Sequence, residues 1–286
     1  MTNDAGPFKH VLACIAPSPH AREVAVEAGR LASACGSSLT FVHAGREGDE
    51  VRRIIGETLP GTDAQVVVRD GAPERVILSE AARQGADLIF AGALQSDPLL
   101  RGIVGSLARR LARHAERSVY LSIHRFPPDR LVRTLVVGID VDDRSARLMR
   151  DMAAFARKAG VLALHAVYEY DPHAPAAIGP GEEREQHERL RAASERFRVA
   201  DFVGTINLEG LPVRVTCLSG RDYVETMRFA EEQRADLLAV AAPPRRLGLL
   251  DRFFGHPTDT ILQRFPCSIL LHRSRRAPAA AGGGGG

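Results

Sequence analysis

Apolar residues in this chain fall into short unbroken runs, separated by longer stretches with helical spacing. Val11-Leu12-Ala13-Cys14-Ile15-Ala16 is the first run, and residues 22–35 then repeat apolar side chains every three or four positions. An unbroken run of four to eight apolar residues fits a strand covered on both faces. The helical stretch stops at Gly36, where a left-handed C-cap is expected. Phe41-Val42-His43-Ala44 makes a second run, and Val66-Val67-Val68 leads to Gly71. A helical pattern from Pro73 descends to Ala86-Asp87-Leu88-Ile89, and Gly105 opens a last helix before an apolar strand at 118–123.

The same succession then returns. Leu135-Val136-Val137-Gly138-Ile139-Asp140 matches the first run 124 positions later, and the helical stretch 144–158 ends at Gly160. Ala163-Leu164-His165-Ala166 again closes on His-Ala, and residues 213–218 lead to Gly220. From Gly71 to Asp87, and from Gly220 to Asp236 in the later Ala235-Asp236-Leu237-Leu238, the separation is sixteen. Gly105 and Gly255 each stand thirteen residues before a serine that starts a final apolar strand, 118–123 and 268–271. Two fixed spacings with matching residue types identify an internal duplication.

Each copy predicts β-α-β-α-β-α-β-α-β, so the fold class is α/β: two tandem, open, five-stranded parallel sheets of Rossmann-like type. The expected boundaries are 1–126 and 127–275, with an Ala/Pro/Gly tail at 276–286. Phe126-Pro127-Pro128-Asp129 reads as a proline hinge between them. The copies differ after their second strands. The first has a compact link at 45–63 with one helical pattern, 51–55. The second has a Pro/Ala/Gly loop at 172–180 and a charged helix at 182–199, read either as a solvated face or as a surface for a protein partner.

Composition narrows the function classes. With 286 residues, 45% hydrophobic and 26% charged, the chain reads as soluble and globular. A net charge of +3, with Lys and Arg spread out, gives no nucleic-acid or membrane footprint. Arg273, Arg275 and Arg276 sit beside the tail and read as a frayed end. Cys14, Cys35, Cys217 and Cys267 form no CxxC pair, which points to reduced thiols in a cytoplasm, with Cys14 and Cys267 as small buried hydrophobes. No signal-peptide pattern and no membrane-length apolar run is present.

In an open parallel sheet, ligands bind beyond the carboxyl ends of the strands where strand order reverses, here between strands one and four of each copy. No P-loop, GxGxxG or GxSxG motif occurs, and the histidines and cysteines do not cluster as metal ligands. His43 and His165 read as hydrogen-bonded structural histidines at equivalent strand ends. Asp142 or Asp143 reads as a helix N-cap.

Together, the residue after strand one, the glycines after strand four and the glycine-opened helix resemble universal stress proteins. ATP-binding members carry an aspartate after strand one, then Gly-x-x-Gly, then Gly-Ser/Thr at a helix start nine residues on. The resemblance covers about 8–123 and 131–272, and it implies an adenine-nucleotide-hydrolase-like fold. In the first copy Gly92, Gly105 and Ser106 match. Gln95 replaces the second glycine, Ala16 replaces the aspartate, and Pro98 lies in the loop. In the second copy Asp140 matches. Counting back from Gly255 puts Ala242 and Arg245 at the glycine positions, whereas counting from Asp236 puts Ala241 opposite Gly92. Pro243 and Pro244 remove amide donors there, and His256 replaces the Ser/Thr.

Three readings stay open. Copy one binds a nucleotide through Gly92, Gly105 and Ser106, with Arg101 or Arg109 as anion contacts; the sites are vestigial; or copy two gathers an anion on Arg245, Arg246, Arg252 and His256. The resemblance implies a non-catalytic stress-response or regulatory protein with degenerate ATP motifs. The alternative is an ATP-binding sensor with slow hydrolysis in the first domain. ATP is the one cofactor implied. The partners implied are an adenine nucleotide, pairing of the two halves through their last strands, a homodimer and a further protein.

Overall fold

The computed structural model describes residues 6–93, 105–123, 132–171, 182–242 and 265–273. The first half runs β1(His10–Cys14), α1(Ala21–Cys35), β2(Ser38–Ala44), α2(Gly48–Thr58), β3(Gln65–Arg69), α3(Pro73–Arg83), β4(Leu88–Gly92), α4(Ser106–His114), β5(Ser118–Ser122). The second runs β6(Thr134–Ile139), α5(Asp143–Ala159), β7(Ala163–Tyr170), α6(Glu182–Gly204), β8(Arg214–Ser219), α7(Val224–Glu232), β9(Leu237–Ala241), β10(Ser268–His272). The link expected at 45–63 thus contains a full helix, α2, and the charged helix α6 reaches Gly204. Among the described residues no helix is long and apolar enough to cross a membrane.

Local chemistry explains these bounds. Gly36 and Gly160 end α1 and α5 at φ 65° and 66°, left-handed values that cost a side-chain-bearing residue about 1 kcal/mol. Asp142 is the N-cap of α5, its carboxylate accepting from the Ser145 amide at 2.8 Å. The repeated aspartates are anchors: Asp87 Oδ2 accepts from the Lys9 and His10 amides, and Asp236 Oδ2 from those of Arg133 and Thr134. Each one ties the entry of a half's first strand to the entry of its fourth.

All ten strands form one sheet, in the order β3-β2-β1-β4-β5-β10-β9-β6-β7-β8. Every neighbouring pair is parallel except β5 and β10, which run antiparallel with Leu270 opposite Tyr120. The last strands of the two halves meet, so the two five-stranded units form one continuous sheet. A last strand left at the end of each half would expose a row of unpaired amides and carbonyls, and pairing β5 with β10 satisfies both. α1, α2, α5 and α6 cover one face and α3, α4 and α7 the other, and each apolar layer contains residues of both halves.

Polar groups reinforce the β5–β10 junction. Glu27 of α1, buried, accepts from the Tyr120 hydroxyl at 3.1 Å and from Ser122 Oγ. Ser268 of β10 is hydrogen-bonded to the same Tyr120 hydroxyl. Burial, reinforced by the Glu27 charge, holds that phenol well above its ordinary range. The duplication puts Asp151 at the place of Glu27 and His272 at the place of Ser122, and these two meet at 2.7 Å.

On the opposite face Glu80 of α3 lies between Arg83, Gln84 and Arg69, and these hydrogen bonds, led by Arg83, pull its carboxyl down to about 2. A carboxyl depressed in the fold stabilises it above the unfolded value near 4.5, and that contribution disappears as pH falls through about 2. Glu80→Gln is therefore expected to cost about 1–2 kcal/mol at pH 7, discounted because both arginines are half exposed. In urea titrations the gap between wild type and variant should close between pH 4.5 and 2. A constant gap across that window would contradict the assignment.

Candidate functional site

The strand order reverses between β1 and β4 in the first half and between β6 and β9 in the second. The two reversal points differ in what fills them.

In the first half a cavity of about 460 Å³ opens above the ends of β1, β2 and β4 and the start of α4. Its walls include Cys14, Ala16, Ser18, His20, His43, Gly92, Gly105, Ser106, Leu107 and Ala108. Gly92 is the last residue of β4, and Gly105 is the N-cap of α4 with Ser106 the first helical residue. The Gly105 amide donates to the Ala93 carbonyl at 2.7 Å, pinning the helix start to the strand end. Gly105 has no side chain with which to cap the helix. The amides of Ser106, Leu107 and Ala108 therefore stand at the helix N-terminus on the cavity wall, where an anion is favoured.

His43 is buried with its Nδ1 3.0 Å from the Ile15 carbonyl and its Nε2 3.2 Å from Glu47. Both ring nitrogens face acceptors, so the ring is held as a structural element of the wall, as expected. Cys14, expected as a buried hydrophobe, is half-buried and lines the cavity. Burial pushes its thiol up to about 12, so it offers no thiolate nucleophile at neutral pH. Cys267 is buried as expected.

An adenine nucleotide fits this wall in part. The volume lies in the range of small-molecule sites, and the uncapped α4 amides suit a phosphate. Ala16 brings no carboxylate to a ribose or base edge. Arg109, one turn into α4, does not line the cavity.

In the second half Tyr223, buried at 8% exposure, occupies the equivalent place. A Cβ on Gly138 would come within 2.9 Å of the Tyr223 ring, so the ring lies directly on the β6 backbone. The Tyr223 hydroxyl donates to Asp140 Oδ2 at 3.4 Å, and burial, with Asp140 adding to it, raises the phenol far above its ordinary value. Asp140, the matched aspartate, is thus engaged by the chain's own phenol. Asp222 and Tyr223 both adopt left-handed backbone, φ 64° and 62°, a strain of about 1 kcal/mol each that packing of the ring offsets.

Strand register also decides between the two alignments of the second loop. Gly92 is the partner of Ser122 and Ala241 the partner of His272, while the next amides, Ala93 and Ala242, donate to the carbonyls of Ser122 and His272. Ala241 therefore stands at the place of Gly92.

Arg101, Arg245, Arg246, Arg252, Gly255 and His256 lie outside the described residues, as do Gln95, Pro98, Pro243, Pro244, the hinge 126–129 and the loop 172–180. Among the described residues no group of three His, Cys, Asp or Glu side chains could hold a metal ion. Tyr223 escaped sequence reasoning. Its signal was Gly138, a glycine inside a buried strand where the first half has Cys14, which marks a close approach.

The family model of the universal stress proteins matches residues 46–122 and 132–273. A functionally unknown protein from Pseudomonas aeruginosa PAO1 superposes with TM-score 0.68 at 17% identity, covering 93% of this chain and 92% of its own. A putative universal stress protein from P. aeruginosa UCBPP-PA14 gives TM-score 0.66 at 17% identity, over 93% of each chain. A universal stress protein from Archaeoglobus fulgidus DSM 4304 gives 0.61 at 15%, over 96% and 99%. At such identities the likeness speaks for the fold. No curated protein matches the chain. With the family model spanning most of both halves, the chain belongs to the universal stress protein family.

Proposed function

We propose that this is a non-catalytic, regulatory universal stress protein with one ligand-binding cleft, in the first half, whose ligand is of the adenine-nucleotide class. The observation that carries this reading is the contrast between the halves. One cleft is open and ends on uncapped helix amides, while at the duplicate place Tyr223 lies on the β6 backbone and engages Asp140. On this reading 1–126 and 127–275 are the repeat units, 276–286 is a tail, and β5–β10 pairing makes the chain an internal pseudo-dimer acting in the cytoplasm in stress response.

Regulation rather than turnover is favoured by the cleft's own side chains. His43 is committed to Ile15 and Glu47, the Cys14 thiol stays protonated, and no carboxylate stands at Ala16. The missing carboxylate at Ala16 and the glutamine that stands at position 95 in place of the motif's second glycine both argue for modest affinity.

Isothermal titration with ATP and magnesium tests this. Binding at one site per chain is expected, in the micromolar to submillimolar range, with affinity falling at least about tenfold in Gly105→Val, which sets a branched side chain at the helix mouth. No heat and no thermal shift at millimolar ATP would sink the reading.

A further inference from the structure

We propose that the outward face of α6 is a self-association surface, at which two copies of this chain pair through parallel α6 helices. Of the four large apolar side chains exposed among the described residues, two lie on this helix: Leu190 at 63% and Phe197 at 76%. They are seven residues apart, and Ala193 and Ala200, also exposed, fall three residues after each. That spacing is the a/d pattern of a helix–helix seam. The opposite face is already in use, with Val199 and Val203 buried against the sheet. Arg198 braces α6 through Glu195 and through Tyr168, over whose ring its guanidinium sits at 5.2 Å.

Among its described residues the first half has no counterpart. Its α2 is an eleven-residue helix, and none of the exposed large apolar side chains lies on it. α6 packs against β8, the last strand at that end of the sheet among the described residues.

Charge selects a second copy as the occupant, and sets its direction. Arg196 and Asp201 are both exposed and flank the seam on opposite sides, five residues apart. In a parallel pair that offset brings each Arg196 to the Asp201 of the other copy, giving two unlike pairs. In an antiparallel pair Arg196 would face its own duplicate, which is unfavourable. Alternating Leu/Phe and Ala layers also let the helices approach closely.

Sedimentation equilibrium of the full chain from about 2 to 200 µM tests this independently of any nucleotide. A reversible monomer–dimer equilibrium is expected. Phe197→Glu should weaken it at least about tenfold; because the side chain is exposed, the far-UV circular dichroism and melting temperature should hold. Leu190→Glu should do the same. Arg196→Asp and Asp201→Arg should each weaken dimerisation about threefold or more, and the double exchange should restore it. A chain monomeric throughout, a dimer indifferent to Phe197→Glu and Leu190→Glu, or a double exchange no better than the singles would each overturn the proposal.

Discussion

Tyr223→Ala is expected to lower the stability of this protein by about 3–4 kcal/mol and to leave a cavity that p-cresol refills. The ring is buried, lies on the Gly138 backbone and belongs to the same buried cluster as Val240, so truncation removes a large apolar contact and leaves a void. Melting temperature should fall by roughly 2–4 °C per kcal/mol in a chain of this size. Millimolar p-cresol, which has the shape of the deleted side chain, should recover part of the loss in the variant and do nothing to the wild type. Tyr223→Phe isolates the hydroxyl: its contact with Asp140 is long, and its loss should cost under about 1 kcal/mol. If Tyr223→Ala costs less than 1 kcal/mol and p-cresol has no effect, the second cleft is not filled in the way described.

Glu27→Ala should be the most damaging polar substitution at the junction of the halves, at about 3 kcal/mol. Its carboxylate is the acceptor for Tyr120 and Ser122, and Tyr120 in turn is bonded to Ser268 on the opposing strand. Removing it leaves two buried hydroxyls short of an acceptor in a low-dielectric setting. Asp151→Ala, at the duplicate position, should cost nearer 1 kcal/mol, because Asp151 is 39% exposed and water can replace it beside His272. Denaturant unfolding of the two variants checks the ranking. Equal costs would mean that the junction does not depend on the buried network.

The duplication and the α/β class were legible because they rest on constraints that repeat. Buried strands demand unbroken apolar runs, helix ends demand a left-handed residue at Gly36 and Gly160, and strand entry uses the same aspartate at 87 and 236. The joining of the halves through their last strands came from the family resemblance and not from local pattern. β5 and β10 are largely apolar whether their free edges meet each other or another chain, and the polar contacts at the junction, Glu27 with Ser122 and Tyr120, link residues far apart in the sequence.

The site was legible in halves. Gly92, Gly105 and Ser106 do converge on one cavity wall, as their spacing implies. Asp140 was read by motif as a ligand contact, and the structure also brings to it a tyrosine 83 residues later in the chain, at the start of α7. Pairings at that distance are set by topology, and a local pattern does not contain them.

Hydrogen exchange with and without saturating ATP and magnesium tests the central claim, one open cleft and one closed by the chain itself. The account predicts added protection at the amides of residues 106–108 and around the ends of β1 and β4, with none at residues 138–142 and 220–224. Protection of the second set, or of neither, would contradict it.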